Sequence, residues 1–412
     1  MKVSQFFATL LEIPKKINLF NKTLKIILNG EENDYSERVD ALINNSITTQ
    51  TAVEIFVDFI TGKGVLELND VSVNTKKNIK FFKFLNEYNE SYGEQKGVAV
   101  HVQHKITGLP DRFEVLPFMN VRKGKKDDRE YVGKYCYSEH GFSDKVKKSE
   151  FIWMDAFNPD PKEVQKQIAR DGGLNKYKGQ IFYFNPTKYD YPLSHIHAVM
   201  NDADSEFRAS VFKNKSLRKG FFGKHILITP PQIDTELRNT PKKQLDSDDL
   251  ARLRHLENLK DDSDDAMNGF VGVENNEGFM RIEMEFEGDD IDKVIKHIKI
   301  PTDIDDKLFA HTETSTSRNI RMAYNNIPSI MMSADESGLF GNSGELLRES
   351  KLFYQDQTER TRILISQSLK ELFASYPKFK GKEFNIEPLL KREINVDNNT
   401  RGNKRKKGHF VK

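Results

Sequence analysis

Two segments of this chain have the length of long helices but lack the apolar face of a core helix. The first, SHIHAVMNDADSEFRASVFKNKSLRKGF from Ser194, carries apolar residues at Ile196, Val199, Met200, Phe207, Val211 and Phe212, with polar residues spread all round. Such a helix does not belong inside one compact domain. The second, DIDDKLFAHTETSTSRNIRMAYNNI, runs from about Asp303 to Asn326, roughly 36 Å at a rise of 1.5 Å per residue. Its run of Thr312, Thr314, Ser315, Thr316 and Ser317 is poor helix material alone, because short hydroxyl side chains compete for backbone hydrogen bonds. A rod of this kind needs neighbours on both flanks. Identical copies around a ring would supply them.

Composition narrows the options. At 412 residues the chain allows two or three domains and a sizeable core. It is 37% hydrophobic and 31% charged, and no apolar run approaches the length that spans a bilayer, so no membrane partner is expected. The start, MKVSQFFATLLEIPKKINLF, lacks a long apolar stretch and a small-residue cleavage site, so secretion is not expected. A single cysteine, Cys136, excludes an internal disulfide and a cysteine-based zinc cluster. Net charge is +2, with a basic C-terminal RGNKRKKGHFVK and acidic DSDDL and DDSDD runs from Asp246 and Asp261. A uniformly basic DNA-clamping surface is not what this describes. Contact with nucleic acid would be local or weak, and the basic tail reads as a solvated end before it reads as a specific arm.

Along the chain the pattern is α+β. ITTQTAVEIFVDFITGKG predicts a helix with Val53, Phe56, Phe59 and Ile60 on one stripe, ending at Gly62 and Gly64, and NIKFFKFLNEYNESYG predicts another with Phe81, Phe82, Leu85 and Tyr88. From Val98 to about Phe184 the stretches VAVHVQH, RFEVLPFMNVR, EYVGKYCYS and QIFYF predict a small, curved sheet. Between the two polar rods, from about Lys219 to Ile300, lies an α/β inset. There KHILITPP reads as a strand, SDDLARLRHLENL as a helix, and FVGVENNEGFMRIEMEF as a hairpin turning over Glu274–Gly278. A long helix from about Glu345 to Ala374 follows, with Ile365, Leu369, Leu372 and Phe373 on one stripe.

Candidate chemistry is sparse. The glycines of SADESGLFGNSGELLRES (Gly338, Gly341, Gly344) lack the GxxxxGK[ST] spacing of a phosphate-binding loop, since Gly344 is followed by Glu345 and Leu346. They predict a loop entering a helix, with Ser343 as N-cap and Glu345 and Glu349 favourable in the first turns. His101 and His104 on a strand face opposite ways, and His195 and His197 on a helix diverge, so neither pair predicts a metal site. Asp303, Asp305 and Asp306 read as a helix start, with converging nuclease ligands as the rival reading. Trp153 reads as a core or subunit-interface anchor. Arg318 and Arg321, at i and i+3 on one helix face, suit either phosphates or a neighbour's acids. No catalytic residue, metal or cofactor is expected.

The order of parts carries a resemblance. The stretches ITTQTAVEIFVDFITGKG, RFEVLPFMNVRKGKKDDREYVGKYCYS and NNIPSIMMSADESGLFGNSGELLRESKLFYQDQTERTRILISQSL resemble the portal protein, or head-to-tail connector, of tailed double-stranded DNA bacteriophages. That resemblance implies a closed ring, usually of twelve subunits, around a DNA channel. It implies a wing over 1–190, a first stem helix over 191–218, a clip over 219–300 and a second stem helix over 301–327. A tunnel loop over 328–344, a long wing helix over 345–375, and a short crown with a basic tail over 376–412 would follow. Channel-facing residues would be Arg318, Arg321, Pro328, Ser329, Met331, Met332, Ser333, Asp335, Ser337, Gly338, Gly341 and Gly344. With no Lys or Arg between Ile327 and Leu347, that loop would grip sliding DNA weakly and without sequence preference. Implied partners are the terminase large subunit, the major capsid or scaffold protein and a head-tail adaptor, in a virion assembled in the host cytoplasm. The alternatives are a metal-dependent DNA-processing enzyme and another ring-forming neck or adaptor protein.

Overall fold

The computed structural model describes residues 20–142, 148–219, 224–229, 246–252, 254, 279–283, 296–300, 306–332 and 343–390. It is a mixed α+β chain that divides into two compact units. The first takes Met1–Asp34, Val53–Leu193 and Asn325–Lys412, and the second takes Tyr35–Ala52 and Ser194–Tyr324. The hairpin expected over Glu274–Gly278, the acids Asp303 and Asp305, and the tail beyond residue 390 lie outside the described residues.

The first unit is built on a six-stranded sheet. In chain order its strands are β5 (Val98–His104), β6 (Pro110–Leu116), β7 (Val121–Lys123), β8 (Lys134–Tyr137), β9 (Ile152–Ala156) and β10 (Gln180–Phe184), and their spatial order is β6-β5-β10-β9-β8-β7. Four short strands precede them: β1 (Phe20–Asn21) pairs with β2 (Ile26–Ile27), and β3 (Ser72–Asn74) with β4 (Ile79–Lys80). In the large sheet only β9 and β10 run parallel, because α4 (Pro161–Arg170) carries the chain between them. Asp160 caps α4 through the Lys162 amide at 2.9 Å, and Pro161 opens its first turn. Val164 and Ile168 pack with Tyr177, while Gln167 Oε1 accepts from Tyr177 Oη and Gln180 Nε2 at 2.9 and 2.8 Å. One side of the sheet buries Ala99, Leu116, Phe118, Val121, Met154 and Ile181.

Helices α2 (Ile47–Thr61) and α3 (Phe81–Gln95) match the predicted pair. α2 ends where Gly62 turns left-handed at φ +53, and a Cβ there would lie 2.2 Å from the Glu387 carbonyl oxygen, so only glycine fits. On α3 the stripe differs from expectation. Phe84, Leu85, Tyr88 and Tyr92 join Phe81 inside, while Phe82 is 41% exposed. The i, i+3, i+4, i+7 geometry admits Phe84 and turns Phe82 outward.

The helix expected over 345–374 is two helices, α7 (Ser343–Gln357) and α8 (Glu359–Leu372), broken at Thr358. Thr358 Oγ1 bonds back to the carbonyls of Tyr354 (3.2 Å) and Gln355 (3.0 Å), a pattern that bends helices. Ser343, expected as the cap, is the first helical residue. Phe373, just after α8, sits among Phe81, Phe84, Phe113, Tyr376, Phe379 and Phe384, stacked on Phe384 at 5.6 Å. Burying rings of this size is the main stabilising term of the unit, at about 2–3 kcal/mol each.

The second unit contains α1 (Tyr35–Asn45), α5 (Met200–Lys219), a three-stranded sheet and α6 (Asp306–Ala323). In the sheet β11 (Lys224–Thr229) lies between β12 (Phe279–Glu283), to which it is parallel, and β13 (Lys296–Ile300), to which it is antiparallel. The expected first rod thus starts as a 3-10 turn, His195–Val199, capped by Ser194, and turns α-helical only at Met200. α5 packs against α1 and α6. Residues 35–52 group here with the polar helices.

Candidate functional site

α6 is covered along a narrow stripe. Thr316, Ile320 and Tyr324 are buried at 3%, 0% and 0% exposure, and their i, i+4, i+8 spacing places them on one face. The opposite face carries Thr314, Arg318, Arg321 and Met322, of which Arg318 is exposed, Arg321 half-buried and Met322 58% exposed. The hydroxyl-rich run is helical because packing of that stripe outweighs its weak propensity. Polar contacts join α6 to α5: Asn319 Nδ2 donates to Asp202 Oδ1 at 3.2 Å, and Lys213 pairs with Glu313.

In the first unit, Asn325 and Asn326 both take left-handed conformations (φ +58 each) ahead of Pro328, a double reversal that asparagine tolerates better than most residues. Pro328 opens a 3-10 turn, Ser329–Met331, which packs on α7. Ser329 is exposed, while Pro328, Met331 and Met332 are half-buried. Gly344, in the first turn of α7, is exposed, and a Cβ built on it meets nothing within 4 Å. Ser333, Asp335, Ser337, Gly338 and Gly341 lie outside the described residues. The structure thus sets Arg318 and Arg321 on one face of α6, and separately sets Pro328–Met332 beside the start of α7.

Among the described residues no group of three His, Cys, Asp or Glu side chains could hold a metal ion, and no helix is long and apolar enough to cross a membrane. His101 and His104 part as expected: His101 Nε2 meets the Lys178 carbonyl at 2.8 Å, while His104 is buried against Tyr177 with Nδ1 lacking a hydrogen-bond partner. Desolvation pushes the His104 imidazole down to about 4. Trp153 is half-buried against Ile26, Cys136 and Phe142.

Three polar arrangements escaped the sequence reading. Glu206, midway along α5, receives Ser46 Oγ at 2.5 Å, Thr48 Oγ1 at 2.9 Å and the Thr48 amide at 3.3 Å, so its carboxylate caps the start of α2. Arg122 is fully buried, bonding Asn33 Oδ1 and O at 2.6 and 2.8 Å and the Met119 carbonyl at 2.6 Å. Arg362 is 7% exposed and bonds the carbonyls of Phe59 and Gln355 at 3.1 and 2.8 Å. Both arginines spread the guanidinium fork over main-chain oxygens, Arg122 adding the side-chain oxygen of Asn33. Asn33 lies 89 residues from Arg122, Phe59 lies 303 from Arg362 and Ser46 lies 160 from Glu206, so no spacing rule signals these contacts.

Fold and site together define an α+β chain in which two paired polar helices bracket a small sheet. No family model and no curated protein matches it. Among solved structures, it is similar to a chain in the virion of a native gene transfer agent particle, at 15% identity and a TM-score of 0.46, covering 82% of this chain and 81% of that one. It is similar to a chain in the neck of the native particle computed with C12 symmetry, with the same identity, TM-score and coverage. A chain in the neck of the empty particle computed with C6 symmetry shares 14% identity at a TM-score of 0.47, covering 82% of each chain.

Proposed function

We propose that this chain is the repeating subunit of a portal-type ring, a non-enzymatic channel at a capsid vertex. Double-stranded DNA enters through it under a terminase motor and later leaves, and neck and tail proteins attach to it. The observation that carries this reading is the pairing of α5 and α6 around an inset sheet, with α6 covered along one stripe and Arg318 on its opposite face. A polar helix so placed gains its missing neighbours when sister chains stand beside it, and heterologous contacts close into a ring when the rotation allows. In that ring Arg318 and Arg321 meet the DNA channel or the next subunit. The segment Pro328–Gly344 lines the tunnel, its lack of Lys and Arg letting the duplex slide.

Electron microscopy of the purified protein tests the reading. Class averages viewed down a symmetry axis should show a ring with a central hole. A stable monomer at every concentration and salt would overturn it, and divalent-metal-dependent cleavage of plasmid DNA, abolished by Asp305→Ala, would favour the enzyme reading instead.

A further inference from the structure

A groove runs along α8. Glu359, Arg362, Ile363 and Lys370 line it from the helix, and the irregular stretch from Glu383 to Pro388 forms its other wall. That second wall has the character of half a strand pair. Its burial alternates, with Glu383 and Asn385 exposed and Phe384 and Ile386 buried, the period of a strand lying on a core. Glu387 exchanges both of its main-chain groups with Lys63 and Gly64 at 2.8 Å, but among the described residues the main-chain groups of Phe384, Asn385 and Ile386 have no hydrogen-bond partner. Across the groove Ile363 is 53% exposed. An unpaired strand edge beside an uncovered apolar side chain is a place where an extended segment adds.

The chain that follows starts at the mouth of this groove. It bends at Leu389 and Leu390, and the buried Gln355 holds Leu390 at two points: the Leu390 amide donates to Oε1 at 2.8 Å, and Nε2 donates to the Leu390 carbonyl at 3.0 Å. Gln355 lies one turn before Glu359, so the next residues begin at the Glu359 end. From Glu359 to Lys370 the helix rises about 16 Å, and seven extended residues span about 23 Å. Residues 391–397, KREINVD, are long enough to fill that length. Their order also fits. Lys391 and Arg392 come first, towards Glu359, Ile394 and Val396 share one face, and Asp397 comes last, towards Lys370. The groove sets Glu359 and Glu383 against Arg362 and Lys370, and the segment sets Lys391 and Arg392 against Glu393 and Asp397, so each balances its own charge.

We propose that this groove is the seat of the chain's own residues 391–397, which turn back at Leu390 and lie between α8 and Glu383–Ile386 as a strap. Ile394 and Val396 cover Ile363, and the main-chain groups of Phe384 and Ile386 gain the partners that they lack among the described residues. The strap ties the C-terminal end of the chain to α8. It goes beyond the portal reading and does not require ring closure.

The test uses the full chain. Gln367 lines the groove about 18 Å along the helix from Gln355, and Asn395 lies about 16 Å along an extended chain from Leu390. Gln367→Cys with Asn395→Cys should therefore close a disulfide within one chain on mild oxidation, while the native Cys136 is buried. Mixing isotope-labelled and unlabelled chains before oxidation, with mass spectrometry of the linked peptides, separates a link within a chain from one between chains. Ile394→Asp with Val396→Asp in the same background should cut trapping about tenfold, because the effective concentration of the two thiols falls. Without the cysteines, the same two aspartates should speed hydrogen exchange at the Phe384 and Ile386 amides by about tenfold. Exchange that is equal in the parent and the aspartate chain would overturn the proposal, as would trapping that the aspartates leave undiminished. A disulfide joining labelled to unlabelled chains would overturn it too, by making a second copy the occupant.

Discussion

Arg362 Nη2 donates to the carbonyl oxygen of Gln355 at 2.8 Å, seven residues back, across the break at Thr358. A straight helix would direct that carbonyl along its own axis. Here the guanidinium takes it, while Nη1 holds Thr358 Oγ1 at 2.8 Å and the Phe59 carbonyl at 3.1 Å. One side chain thus sets the bend between α7 and α8 and ties it to α2. Arg362→Ala should take this donor from the Phe59 carbonyl and leave the Gln355 carbonyl with Thr358 Oγ1, and cost about 1–3 kcal/mol. Urea unfolding followed by circular dichroism should show a lower midpoint at unchanged m.

Glu206 makes a parallel prediction in the second unit. Glu206→Ala removes the carboxylate that caps α2 and should cost about 1–2 kcal/mol. Glu206→Gln should recover part of that, since an amide oxygen still accepts from Thr48. Hydrogen exchange should register the loss first at the Thr48 and Thr49 amides.

His104 predicts an acid-sensitive fold. Its imidazole is held at about 4 in the folded chain against about 6.5 when unfolded, so the unfolded state binds the extra proton between those values. Stability is full above pH 6.5 and declines as pH falls towards 4, by up to about 3 kcal/mol. His101 and His197 are also lowered by burial, so the informative quantity is a difference. His104→Leu should flatten the fall in urea midpoint between pH 7 and 4.5 relative to the parent, and an identical fall would remove His104 from the account.

Gly344 should accept a methyl group. Its Cβ position is open and it lies inside α7, so Gly344→Ala should stabilise by about 0.4–1 kcal/mol through reduced freedom of the unfolded chain. A lower urea midpoint would mean that this position needs glycine.

Arg318 separates fold from function. It is exposed, so Arg318→Glu should leave the urea midpoint within about 0.5 kcal/mol of the parent. In the proposed ring it should depress DNA packaging measured in a reconstituted capsid system, and unaltered packaging would exclude this face from the channel and from the subunit contact.

Much of the local structure follows from residue order alone. The glycine stop after Thr61, the strands at VAVHVQH and QIFYF, the proline breaks before Ser194 and the two polar rods are legible because each depends on neighbours within a few positions. The location of the candidate face on α6 was half legible. Spacing puts Arg318 and Arg321 together, but it cannot say that Thr316, Ile320 and Tyr324 are the covered side.

What the tertiary structure decided depends on partners distant in the chain. Phe84, on the inward face of α3, finds Phe373 as its partner only in the fold. The long helix bends at Thr358 because Arg362 and Phe59 meet there. Glu206 becomes a cap because α5 passes the start of α2, some 160 residues earlier in the chain. Propensity and periodicity act over one or two turns, whereas a buried carbonyl or carboxylate is satisfied by whichever donor the fold carries to it.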